Sequence, residues 1–195
     1  KAATECEVVV VTLGDEGAKE ILLPALAMGA DRAVFVTGAG VESLGSRGVA
    51  EALAAVIKAE GPDLVFAGKQ AADDDASQVA ERIAELLDWP HASVITQFKL
   101  EGSNAVVERE VEGGNLTLSI PLPAIFTAQK GLNKPEYPKL PNIMKAKKKP
   151  VDEMTLESLG LSAAALTNRV TVESMALPRQ ERLAKLIDGD AAGQV

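Results

Sequence analysis

Apolar positions in the first ninety residues follow two alternating rhythms. Glu7 to Thr12 is a nearly continuous valine run, the pattern of a parallel strand buried on both faces. It ends in Leu13-Gly14-Asp15 before a stretch, Glu16 to Met28, in which Ile21, Leu22, Ala25 and Leu26 share one helical stripe closed by Gly29. Ala33 to Val36 is a second strand. Val49, Leu53, Val56 and Ile57 then repeat at i, i+4, i+7 and i+8, on a helix that Gly61-Pro62 ends before the strand Asp63 to Ala67. A third helix is predicted over Ala76 to Asp88, with Val79, Ile83, Leu86 and Leu87 on one face, stopping before Pro90. Three strands alternating with three helices predict an α/β fold on a parallel, doubly wound sheet.

Past Pro90 the period becomes two. Val94 to Leu100 and Ala105 to Val111 flank Gly102-Ser103-Asn104, and Leu116, Leu118 and Ile120 alternate with Thr117 and Ser119, which reads as an antiparallel meander. Ala124 to Ala128 adds one more apolar strand. Pro135, Pro138, Pro141 and Pro150 then punctuate a segment unsuited to long regular structure. Residues 1–150 are expected to form one domain, and residues 151–195, with leucines too widely spaced for a core of their own, an extended arm on a partner.

Composition narrows the function classes. With 195 residues, 47% of them apolar, the chain can bury one substantial core. A net charge of −8 points away from nucleic acid and anionic membranes, which reward basic surfaces, and towards a protein or small ligand. No run of eighteen apolar residues is present to span a bilayer. Cys6 and His91 are the lone representatives of their types, so no internal disulfide framework or Cys/His metal cluster is available. His91 follows Pro90 with no nucleophile beside it, Cys6 reads as a small edge residue, and no catalytic group is assigned. Lys1 to Glu7 lacks the apolar stretch of a signal peptide. Both ends read as cut, with terminal segments expected beyond them, and a cytoplasmic or mitochondrial-matrix setting is expected.

Two segments carry chemistry. Gly68-Lys69-Gln70-Ala71-Ala72-Asp73-Asp74-Asp75-Ala76-Ser77-Gln78-Val79 joins the carboxyl end of a strand to a helix. Ligands of open α/β sheets bind at such places, and helix-start N–H groups attract phosphate. The three aspartates would repel a phosphate unless they face a ribose or adenine, or simply cap the helix. The second segment runs from Gly131 to Lys149. A proline-stiffened loop exposing Leu140, Ile143 and Met144 beside lysines suits docking, because an apolar anchor supplies affinity and charge supplies steering; the same features also describe a solvated face with leucines plugging a core edge.

Gly68-Lys69-Gln70-Ala71 with Asp73-Asp74-Asp75 and Gln78, then Leu87-Asp88-Trp89-Pro90, Leu132-Asn133 and Leu140-Pro141-Asn142-Ile143-Met144-Lys145-Ala146-Lys147-Lys148-Lys149, resemble the electron-transfer flavoprotein beta subunit. Ala25-Leu26-Ala27-Met28-Gly29-Ala30-Asp31-Arg32 belongs to the same pattern, and the motifs run in order from about Glu7 to Lys149. The resemblance implies a fold like that of adenine-nucleotide alpha hydrolases, without hydrolysis. It also implies a heterodimer whose alpha subunit binds most of the redox-active FAD, and a structural AMP in this subunit. Carried over, the AMP site comprises Leu13, Gly68, Lys69, Gln70, Ala71, Ala72, Asp73, Asp74, Asp75, Ala76, Ser77, Gln78 and Val79. Valine at 79 stands where many members have threonine, which leaves Ser77, Gln78 and main-chain N–H groups to meet the phosphate. The segment Glu136, Tyr137, Pro138, Lys139, Leu140, Pro141, Asn142, Ile143, Met144, Lys145 corresponds to the recognition loop, with Leu140 as the anchor for an acyl-CoA or related dehydrogenase; Glu136 stands where many members carry arginine. The runner-up is the flavin-bifurcating branch, in which a second FAD replaces AMP and towards which Gln78-Val79 leans.

Overall fold

The computed structural model of the protein describes residues 5–134 and 137–177. Strand β1 (Val9–Leu13) pairs in parallel with β2 (Arg32–Val36). Between them the predicted single helix is divided into a 3-10 segment, Glu16–Ile21, and helix α1, Leu22–Met28. The division follows from Pro24, which has no N–H to give the carbonyl four residues back, so the α-helical ladder starts afresh at Leu22. Strand β8 (Val151–Met154) pairs on the other side of β2, also in parallel, giving the order β1-β2-β8.

Helix α2 (Ser46–Glu60) leads from this sheet to β3 (Leu64–Gly68) in a second one, whose order is β3-β7-β4-β5-β6. Its other members are β4 (His91–Glu101), β5 (Asn104–Val111), β6 (Gly114–Pro121) and β7 (Ala124–Ala128). Strands β3, β7 and the start of β4 are parallel; the remainder of β4 with β5 and β6 forms the predicted antiparallel meander. β4 serves two partners of opposite direction, and its register slips where it changes over, at Val94 with φ 58°. That left-handed conformation is costly for a β-branched residue; here the Val94 N–H donates to the hydroxyl of buried Thr127 at 2.8 Å.

The α/β class with parallel strands and a meander is as expected, but the strands divide between two sheets. Helix α2 belongs to both. Ala52 and Val56 pack with Val34 and Val36, while Ala50, Ala54 and Ile57 pack with Ile125 and with helix α3 (Val79–Leu87). Helix α1 covers the opposite face of the first sheet through Leu22, Leu26, Ala33 and Phe35. Phe35 and Phe126 are fully buried, each contributing about 1.5–3 kcal/mol relative to exposure. At the amino end of β2, Arg32 is held by Glu60 and Glu7, which raise its already high pKa.

Residues 151–166 remain on this body, through β8, buried Leu156, and the short helix α5 (Ala163–Leu166) with buried Leu166. The expected boundary at 150 thus directly precedes a strand of the first sheet. From Thr167 to Leu177 every residue is exposed, Val170, Val172, Met175 and Leu177 among them. Residues 178–195 of the expected arm lie outside the described residues.

Candidate functional site

The segment Gly68–Val79 sits where the sequence places it, between the carboxyl end of β3 and the start of α3. It is tied to the sheet at its root, where the Lys69 N–H donates to the carbonyl of Ala128 at 2.9 Å. Beyond that, the aspartates build the loop themselves. Asp73 accepts from the N–H of Asp74 and Asp74 from that of Ala76, both at 3.0 Å, and Asp75 accepts from the side-chain amide of Gln70. The Asp75 N–H in turn reaches the carbonyl of Ala71 at 3.2 Å.

In these bonds the carboxylates accept from loop N–H and amide groups, and none of them caps α3. No side chain caps that helix, whose N-cap is Gln78. It begins three residues later than the apolar stripe predicts, because Asp75 (φ 52°) and Ser77 (φ 48°) are left-handed and interrupt the helical path. The Gln78 side chain is turned along the helix, accepting from Arg82 Nη2 at 2.9 Å. Gln70 to Asp75 are exposed, and Ala76 and Ser77 half-buried. A Cβ added at Gly68 would meet no atom of the described residues within 4 Å, so their packing does not demand glycine there. Leu13 ends β1 and is half-buried, and the Gly14 N–H donates to Val36.

Beside Gln78 and Val79 a groove of about 660 Å³ opens between the starts of α2 and α3, with Arg47, Arg82, Asn168 and Arg169 in its walls and Asp74 at its rim. Arg47 is steadied by Glu51 at 2.6 Å and by the Ala165 carbonyl at 2.8 Å. Sequence reasoning missed these arginines. They are far apart along the chain and belong to no motif, so nothing before the fold could gather them.

The second segment behaves differently. From Leu140 onward the expected loop is helix α4 (Leu140–Ala146), because Pro141 occupies the first turn, where its missing N–H costs nothing. Asn142 and Ile143 N–H groups bond to the Lys139 carbonyl. Ile143, expected to be exposed with Leu140 and Met144, instead packs with buried Ala146 against the α1 cluster, because its position on α4 faces α1, and Lys149 Nζ donates to the carbonyls of Leu26 (2.9 Å) and Ala30 at the end of α1. Leu140, 72% exposed, and Met144, 58% exposed, lie one turn apart on the outward side. Tyr137, Lys139, Pro141, Asn142 and Lys145 are exposed and Pro138 half-buried, while Glu136 lies outside the described residues. Among the described residues no group of His, Cys, Asp or Glu is arranged to hold a metal, and no helix is long and apolar enough to cross a membrane.

The class so defined is an α/β protein with a strand-to-helix loop suited to a small ligand and a separate helix presenting apolar side chains. Residues 1–159 match the sequence model of the electron transfer flavoprotein domain. An electron transfer flavoprotein subunit beta from Mus musculus is 46% identical over 176 residues, covering 89% of this chain and 68% of the relative. Subunits of the same name from Bacillus subtilis (39% over 185 residues; 94% and 72%) and Methylophilus methylotrophus (41% over 197; 98% and 74%) are also similar. The chain belongs to the electron transfer flavoprotein family, on the beta-subunit side.

Proposed function

We propose that the chain is the nucleotide-holding and docking half of a heterodimeric electron carrier. Its alpha partner holds most of the redox-active FAD, and dehydrogenases of the acyl-CoA type deliver the electrons. The subunit is a carrier component and supplies no catalytic group. In this reading Gly68–Val79 and Leu13 hold AMP. The observation that carries it is the loop itself. Its aspartates are engaged with their own loop, α3 starts without a side-chain cap, and Gly68 leaves open space at the strand end. Main-chain N–H groups at a helix start suit a phosphate, and a side-chain-free strand end suits close approach of a sugar or base. With Val79 lacking a hydroxyl, Ser77 and main-chain N–H groups would meet the phosphate. Leu140 and Met144 are the docking anchor, and the apolar residues of 170–177 lie on the alpha subunit.

The test is to denature the purified heterodimer and measure released nucleotides. One FAD and one AMP per heterodimer support the proposal; loss of AMP with a single FAD sinks the nucleotide assignment. The groove beside Gln78 favours a second reading, since its three arginines and volume accommodate a ligand with a second phosphate. Two FAD and no AMP, with reactivity towards NADH, would place the protein in the bifurcating branch.

A further inference from the structure

We infer that the groove between the starts of α2 and α3 holds a phosphoryl group beyond the one assigned to the start of α3, bound by Arg82 and Arg169. Two sources share that chemistry, the second phosphate of a nucleoside diphosphate and a separate phosphate ion. The first rests on the reading of Gly68–Val79 as a nucleotide loop.

Charge is the first argument. In a chain of net charge −8, three arginines stand in this one groove against a single aspartate. Arg47 is balanced by Glu51, but the partner of Arg82 is the neutral amide of Gln78, and among the described residues no carboxylate pairs with Arg82 or Arg169. Asp74 is already engaged, accepting from the Ala76 N–H at 3.0 Å. Two guanidinium forks without a carboxylate match the oxygens of a phosphoryl group. The helices add to this. The first turn of α2 and the N-cap of α3 both line the groove, and neither helix has a side-chain cap, so their first N–H groups are left for another acceptor. α2 has no acid in its first turn and carries Arg47 there instead, a choice that works against the helix dipole and raises the positive potential of the groove.

The far wall is built to bring Arg169 to this place. A Cβ at Gly48 would come within 2.7 Å of the Leu166 carbonyl, and one at Gly45 within 2.7 Å of the Asn168 side chain. The two glycines therefore let residues 166–168 lie directly against the start of α2. Arg47 fastens the same stretch through the Ala165 carbonyl, and Thr167 bridges to Leu44. Arg169 follows immediately. On the near side the groove begins at Gln78 and Val79, the last two residues of the candidate nucleotide loop. A nucleotide whose first phosphate lies at Ser77 would thus direct its next phosphate towards Arg82, and the volume of about 660 Å³ leaves room for it.

The test uses the heterodimer, depleted of exchangeable nucleotide on charcoal and checked by absorbance to retain its FAD. It is titrated calorimetrically with ADP, with AMP, and with inorganic phosphate alone and in saturating AMP. ADP binding about tenfold tighter than AMP, the scale of one charge-assisted fork, supports the inference with the nucleotide as source. Phosphate binding beside AMP, with no preference for ADP, supports it with the separate ion as source. Arg82→Gln and Arg169→Gln should each erase whichever effect is found while keeping the urea midpoint of the parent. Equal affinities for AMP and ADP with no phosphate uptake, or an effect that survives both substitutions, overturn the groove site and leave the AMP reading standing. Phosphate uptake that both substitutions abolish, with neither nucleotide bound, keeps the groove site and removes the nucleotide reading; binding of no probe removes both.

Discussion

The Gly68–Val79 loop and helix α4 carry the two proposed contacts of this subunit and are held by opposite means. The loop is polar, exposed and knitted by its own side chains, with one bond at its root to the sheet. Helix α4 has little internal support at seven residues, and depends on Ile143, Ala146 and Lys149 meeting α1. A segment whose bonds are internal can adjust around a small ligand without disturbing the core. A helix anchored by one face offers its other face as a fixed platform, which suits brief encounters with a large partner because little is left to order on contact.

Substitutions can separate these two modes. The largest effect is expected for Ile143→Asp, which puts a charge against the α1 cluster. It should undock α4 and lower stability by about 2–3 kcal/mol, seen as an earlier midpoint in urea, with dehydrogenase-dependent reduction lost as well. Leu140→Ala, on the outward side, should leave the urea midpoint within about 0.5 kcal/mol of the parent. It should slow flavin reduction by a dehydrogenase about tenfold, the scale of a truncated anchor; equal losses in both measurements would erase the distinction between the two faces. Asp75→Ala removes the acceptor for Gln70 in an exposed loop and should cost about 1 kcal/mol or less, together with a lower nucleotide content after purification. Gly68→Ala should be the mildest for folding, because the added methyl meets no atom of the described residues. Retention of full AMP content in that variant would show that no ligand approaches Gly68 closely.

Periodicity was a good guide wherever a single period ran uninterrupted: β1, β2, α2 and the meander are where the valine run, the heptad-like stripe and the alternation of Leu116, Leu118 and Ile120 put them. It failed at three kinds of interruption. Pro24 divides a stripe that the apolar pattern draws as continuous. Asp75 and Ser77 adopt left-handed backbone that no apolar pattern records. Pro141 reads as a breaker in sequence yet begins a helix, because the first turn tolerates it. Of the candidate segments, the position of the loop between strand and helix and the exposure of Leu140 and Met144 were legible from the sequence, but the inward turn of Ile143, grouped with them there, was not, since it depends on α4 packing against α1. The groove was not, since Arg47, Arg82 and Arg169 converge through tertiary structure alone. Nor was the separation of the sheets, a matter of strand order, which local pattern does not encode.

The exposed tail that starts at Thr167 leaves the body beside that groove: Thr167 bridges to Leu44, and Thr167, Asn168 and Val170 stand in its wall. A subunit that grips residues 170–177 therefore acts on a strap whose root borders the place where a ligand would sit. Any preference of the gripped strap for a filled groove obliges the filled groove to tighten the grip by the same factor. Assembly and filling of the groove would then be two readings of one equilibrium, and titrating a phosphate-bearing ligand such as FAD into the free subunit and into the heterodimer would give its size.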